Sequence, residues 1–215
     1  MTANDLIWHE GVLSTEEIQE LVSIGKDTGY TNIYGEDTTL FEKELMSSVA
    51  SLPLHNTFSQ QLKTKLQNYF TQDFIFHSIA LFTLYKPWDI HADWKWTDCE
   101  DGYVPYYNIL ISMDNVDSQT IVFDQYTTSS NKFSDYKKYN SKVDDPIPMD
   151  VWNKYLDYCW PEDRDYLTIK QIMPKQTMGC LQGIPRKYFH ASDNFHYRFS
   201  SGKTFLQVRI DSIIE

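Results

Sequence analysis

The chain has 215 residues, enough for one sizeable core, and its 41% hydrophobic, 23% charged and 15% aromatic residues are those of a globular protein. A net charge of −11 with no basic stripe to offset it argues against a nucleic-acid partner. Three cysteines that match no zinc spacing, a start without a basic and apolar leader, and apolar runs too short to span a bilayer point to a reduced, cytoplasmic protein.

"LSTEEIQELVSIG" predicts the first helix. Ser14 can cap it, Glu17 can reach back in a capping box, and Ile18, Leu21 and Val22 form one apolar stripe. A second helix is predicted in "NTFSQQLKTKLQNYF", where Phe58, Leu62, Leu66 and Phe70 recur at helical spacing. From Phe74 the texture changes. "FIFHSIALFTLYKPW", "VPYYNILISM", "QTIVF", "TMGCLQG" and "KTFLQVRID" read as strands, separated by turn signals such as Asp101-Gly102 and Asp114-Asn115. Residues 125–165 interrupt them with a polar segment rich in Tyr, Asp and Lys, and a helix is predicted around "MDVWNKYLDYCW". The expected class is α+β: one domain over residues 1–215, with helical support over 1–72 and a β-rich core over 73–215. That core is read as an antiparallel sandwich or barrel carrying the insertion at about 125–165.

The segment "YKPWDIHADWKW" carries His91 and Asp93. On a strand, residues i and i+2 face the same way, so an imidazole and a carboxylate would stand side by side. A facial metal triad needs one more imidazole, and His190 or His196 could return to the site. Downstream, Lys203 and Arg209 share strand parity. A cation inside a barrel is costly without an anion, and a dicarboxylic cosubstrate would supply one. The bland reading is a His–Asp hydrogen bond on a solvated face, with Lys203 exposed; a lone His-x-Asp arises often by chance.

Taken together, "HADW", "HASDNF", "SSGKTFLQV" and the preceding "YLDYCWPEDRDYLTI" resemble the non-haem iron(II), 2-oxoglutarate-dependent oxygenases, over roughly residues 74–211. The resemblance implies a double-stranded β-helix core and the cofactor set iron(II), 2-oxoglutarate and O2. It implies His91, Asp93 and His190 as metal ligands and Lys203 as anchor of the C5 carboxylate. Thr120 is similar to the threonine of a Gly-Gly-x-Thr-x-Phe strand, with Ser118 and Gln119 in place of the glycines. Tyr85 resembles a tyrosine that hydrogen-bonds the cosubstrate in some members. Arg209 resembles the second anion contact of the AlkB-like branch. The implied activity is hydroxylation of an aliphatic C–H bond in a small molecule, peptide or protein. Variable loops on a rigid scaffold carry recognition, so the insertion is the expected specificity element. Two rival readings are a catalytically silent cupin-like binding module and an AlkB-like nucleic-acid demethylase.

Overall fold

The computed structural model describes residues 5–29, 31–32, 48–94, 102–115, 117–194 and 202–213. His196, Cys99 and the acidic run Asp98, Glu100 and Asp101 lie outside them.

Helix α1 (Thr15–Thr28) starts where the sequence predicts. The Ser14 hydroxyl accepts from the Glu17 N–H and the Glu17 carboxylate accepts from the Ser14 N–H, so two otherwise orphaned donors are satisfied. Helix α2 (Thr57–Leu66) uses Asn56 and Ser59 in the same reciprocal way. It ends before Phe70, which packs edge-on against Phe74 and Tyr107 instead.

The N-terminal part also holds three short strands that the sequence reading did not foresee: β1 (Ile7–His9), β2 (Thr31–Asn32) and β3 (Ser48–Ser51). They join β4 (Phe74–Leu84), β5 (Tyr103–Ser112), β8 (Leu181–Pro185) and β10 (Lys203–Ile213) in a seven-stranded antiparallel sheet, ordered β1-β8-β5-β10-β4-β3-β2. The predicted strand "TMGCLQG" is shorter than expected, because Thr177–Cys180 forms a turn with Gly179 at φ +77. A second sheet, β7-β6-β9, contains β6 (Thr120–Tyr126), β7 (Ile169–Ile172) and β9 (Tyr188–Ser192).

Strand parity decides what each face does. On β10, Leu206, Val208 and Ile210 join Leu21, Leu62 and Leu66 of the helices in the main core. The alternate residues Lys203, Phe205, Gln207, Arg209 and Asp211 point between the sheets, where Lys203, Arg209 and Asp211 find polar partners. Two bulges sharpen this arrangement. Register shifts leave His77 on β4 and Tyr106 on β5 without a residue opposite on β10. Such an extra residue bends its strand and re-aims its side chain; His77 turns to Asp211.

The insertion packs down as a core of its own. It holds α3 (Phe133–Tyr139), α4 (Met149–Tyr155) and a short 3-10 helix (Pro161–Tyr166). Trp152, Phe133, Ile147 and Leu156 lie against Ile121, Phe123, Phe189 and Ala191, the outer face of the small sheet. Most of its aromatic residues are therefore spent on packing. Among the described residues, no helix is long and apolar enough to cross a membrane.

Candidate metal centre

His91 and Asp93 do not sit on a strand, as the sequence reading had them. They follow β4 in an extended segment whose only ladder contacts are single bridges. Non-local backbone pairing positions them instead. The His91 N–H donates to the His190 carbonyl at 3.1 Å and the His190 N–H donates to the His91 carbonyl at 2.8 Å. His190 lies on β9 and pairs with Val122 of β6 on its other side. The His-x-Asp segment thus takes the place of a further strand beside β9, and His91 and His190 become direct neighbours, with ring centroids 4.5 Å apart. Potential ligand atoms of His91, Asp93 and His190 all lie within 4.8 Å of one another.

Both imidazoles are oriented by main-chain carbonyls. His91 Nδ1 stands 2.6 Å from the Asp89 carbonyl and His190 Nδ1 stands 3.1 Å from the Tyr188 carbonyl. A carbonyl only accepts, so each Nδ1 carries a proton and Nε2 is the ring atom left to face the triad. The Asp93 carboxylate accepts from Asn108 at 2.5 Å and from Arg209 at 2.6 Å. Burial alone would raise the Asp93 carboxyl, but Arg209 and the two imidazoles outweigh it and hold it far below the usual carboxylate range. Burial, helped by the neighbouring His190, lowers His91 to about 4, so its imidazole is neutral at pH 7. Two imidazoles and one ionised carboxylate match the two-His, one-carboxylate donor set of non-haem iron(II) sites. His190 Nε2 and Asp93 Oδ2 are 3.3 Å apart, close enough to share one cation.

Tyr158, from the insertion, stitches the two ligand-bearing segments together. Its hydroxyl lies 2.9 Å from the Trp88 carbonyl and 2.6 Å from the Ser192 carbonyl, three residues before His91 and two after His190. Beside the triad opens a cavity of about 350 Å³ lined by Trp88, Asp89, His91, Ala92, Asp93, Asn131 and Arg209. A neighbouring groove of about 600 Å³ shares Asp89, His91 and Asn131 and runs along the insertion past Tyr158, Trp160 and Glu162.

The other sequence candidates fall at different depths. Lys203 heads β10 and is 2% exposed. Its ammonium donates to Ser118 Oγ at 3.1 Å, and the Ser118 hydroxyl donates to Asp193 at 2.9 Å. Burial pulls Lys203 down to about 8, with Asp193 and Asp114 partly opposing. The chain enters β10 through Gly202 at φ +75, where an added Cβ would meet the Tyr85 ring at 3.0 Å and the Leu84 carbonyl at 3.1 Å. Tyr85 therefore packs at this turn and does not line the cavity beside the triad. Thr120 is buried and donates to Gln182 at 2.7 Å. Arg209 lies beside the triad, on Asp93.

Between Arg209 and Lys203 on the same inward row, Gln207 Nε2 is a buried donor with no partner among the described residues, as is Arg209 Nε. Buried donors are normally satisfied, so this row suits an acceptor-rich guest such as a keto dicarboxylate. The sequence reading missed Asn108, Arg186 and Asp211. Asn108 had a signal, a lone amide in the apolar run "YYNILIS".

Comparison with known proteins then fixes the architecture. No family model matches the sequence, and no curated protein does. Solved structures do match. A non-haem α-ketoglutarate-dependent epimerase from nogalamycin biosynthesis, SnoN, aligns at a TM-score of 0.57 and 7% identity over 98% of this chain and 79% of its own. The collagen prolyl hydroxylase of Paramecium bursaria Chlorella virus-1, in a 2-oxoglutarate complex, aligns at 0.53 and 12% over 97% and 96%. HygX from Streptomyces hygroscopicus, with nickel and 2-oxoglutarate bound, aligns at 0.54 and 10% over 98% and 84%. The fold is the double-stranded β-helix of these enzymes. At such identities the likeness establishes the architecture, and the chemistry rests on the side chains described above.

Proposed function

We propose that this chain is an iron(II)- and 2-oxoglutarate-dependent oxygenase that hydroxylates an aliphatic C–H bond of a small molecule or peptide. The observation that carries the reading is the convergence of His91, Asp93 and His190, each imidazole turned by a carbonyl so that Nε2 is free to ligate. That solved structures with this fold include a prolyl hydroxylase and an enzyme with nickel and 2-oxoglutarate bound supports it.

An iron(II) held here would allow dioxygen to oxidise a C–H bond, one oxygen atom going to the substrate and the other to 2-oxoglutarate, which leaves as succinate and carbon dioxide. The residues of this chain do the rest. His91, Asp93 and His190 would hold the metal, with Asn108 and Arg209 fixing the orientation of the Asp93 carboxylate. Lys203 and Gln207, on the inward row of β10, would receive the far carboxylate of the cosubstrate. Phe82, Leu84, Leu110 and Phe205 pack with Trp88, which lines the cavity beside the triad and would there help keep water from the reacting atoms. Asp89 and Asn131 stand at the mouth shared by cavity and groove, where they can orient a polar substrate group. A reduced cytoplasmic setting accords with the free, buried thiols of Cys159 and Cys180.

The test is succinate release from 2-oxoglutarate with iron(II), oxygen and ascorbate, first without substrate and then across small-molecule and peptide libraries. Slow uncoupled succinate formation, abolished by Asp93→Ala, is the expected result. A chain that binds 2-oxoglutarate yet releases no succinate is the silent binding module. Stimulation by methylated oligonucleotides alone would move it to the demethylase branch.

A further inference from the structure

Among the described residues, the most deeply buried charged side chain outside the triad is Arg186, with 0% exposure, in the turn between β8 and β9. Its Nε–H donates to the main-chain carbonyl of Asp93 at 3.0 Å, and its Nη1 meets Asp211 Oδ1 at 2.5 Å. The other oxygen of Asp211 takes His77 Nδ1 at 3.0 Å. The Arg186 N–H is itself tied to the Tyr106 carbonyl at 3.1 Å. Arg186 stands four residues before His190, so it belongs to the arm that carries one ligand while gripping the backbone of another.

We infer that Arg186 and Asp211 form a positioning clamp that sets the main-chain orientation of Asp93 and thereby the geometry and affinity of the metal centre. Three features lead there. Asp93 lies outside regular strand structure, so no sheet ladder fixes its carbonyl. Its side chain is held by Asn108 and Arg209, which orient the carboxylate and do not touch its carbonyl, and the backbone pairing of the segment stops at His91 and Ala92. A guanidinium presents several donors in a rigid plane, so one side chain can grip the carbonyl and Asp211 together. The bulge at His77 brings a third group onto Asp211 and occupies its second oxygen, so the clamp has a fixed base. Partners that orient metal ligands typically change affinity ten- to hundredfold when lost.

The inference rests on the metal reading of the triad, and the experiment separates the two. Cobalt(II) is titrated into the metal-free chain against a competing chelator, with the visible absorption of bound cobalt recorded alongside thermal melting. The central variant is Arg186→Met/Asp211→Leu, because replacing a buried ion pair by apolar residues of similar size commonly preserves stability. The expected result is a melting temperature close to wild type, cobalt affinity lower by about ten- to hundredfold, and an altered cobalt spectrum. Arg186→Lys, which keeps the charge but loses the planar fork, should fall between. A double variant with wild-type affinity and spectrum overturns the clamp, since a pair that only stabilises the fold would leave both unchanged. If the double variant does not fold, the isosteric Asp211→Asn decides in the same way: reduced affinity supports the clamp and unchanged affinity overturns it. A wild-type chain that takes up no cobalt overturns the metal centre itself, and the clamp with it.

Discussion

Replacing Lys203 by Met tests the cosubstrate site through a charge whose situation is well defined. Lys203 is buried at the head of β10, and its pKa falls from 10.5 to about 8 chiefly through burial. At about 1.4 kcal/mol per unit, that shift is a residual cost of about 3–4 kcal/mol for keeping the ammonium charged in the free protein. A cosubstrate carboxylate at Nζ would offset it, and breaking such a buried pair costs roughly 3–5 kcal/mol. Lys203→Met should therefore weaken 2-oxoglutarate binding by about a hundredfold or more. The pH dependence has a definite sign. Above pH 8 the free protein holds a neutral amine, so binding the dianion must take up a proton. Wild-type affinity should then fall by up to about tenfold per pH unit above 8, whereas the Met variant should be flat. Free-protein stability runs the other way. The unfolded chain holds more protons between about 8 and 10.5, so the burial penalty is full below pH 8 and is relieved as pH rises through that window. The assay is calorimetric titration of 2-oxoglutarate into the metal-loaded protein at pH 7 and pH 9, without oxygen. Wild-type affinity in the Met variant at both pH values would refute the placement of the cosubstrate at Lys203.

Other expectations concern the frame of the site. Asn108→Ala removes a hydrogen bond to Asp93 and should lower metal affinity by about tenfold or more in a chelator competition; equal affinities would make Asn108 a bystander. Tyr158→Phe leaves the Trp88 and Ser192 carbonyls without their shared donor and should cost about 1–3 kcal/mol in urea unfolding, with a weaker metal site as a second sign. Trp152→Ala empties the centre of the insertion core and should cost about 3–5 kcal/mol; a loss below about 1 kcal/mol would mean that this segment does not stabilise the small sheet.

The features legible in the sequence are those with local causes. The cap of α1 is visible because Ser14 and Glu17 are three residues apart and satisfy each other. The inward row of β10 is visible because parity alone sorts Lys203 and Arg209 from Leu206 and Val208. His91 and Asp93 stand out in the sequence as candidate ligands but not in their true setting, since the contact that orients them comes from His190, about a hundred residues away in a pairing no local pattern encodes. The strands absent from the sequence reading, β1, β2, β3, β7 and β9, have five residues or fewer and are stabilised by what they pair with. Arg186 and Asp211 lie in a turn and a strand with no local pattern that marks them. Only the fold brings them to the carbonyl of Asp93. The insertion, expected to read substrate, divides its aromatic residues: Trp152 is fully buried, while Trp160 is 72% exposed on the groove beside the triad.

The central claim is that His91, Asp93 and His190 together bind one iron(II) that accepts 2-oxoglutarate. The most direct test is anaerobic titration of iron(II) and then 2-oxoglutarate, following the visible charge-transfer absorption that forms when a keto acid chelates iron(II). The account predicts one equivalent of iron bound and the band in the wild-type chain, with both lost in His91→Ala, Asp93→Ala and His190→Ala. A wild-type chain without the band, or a His190→Ala variant that keeps it, would contradict the account.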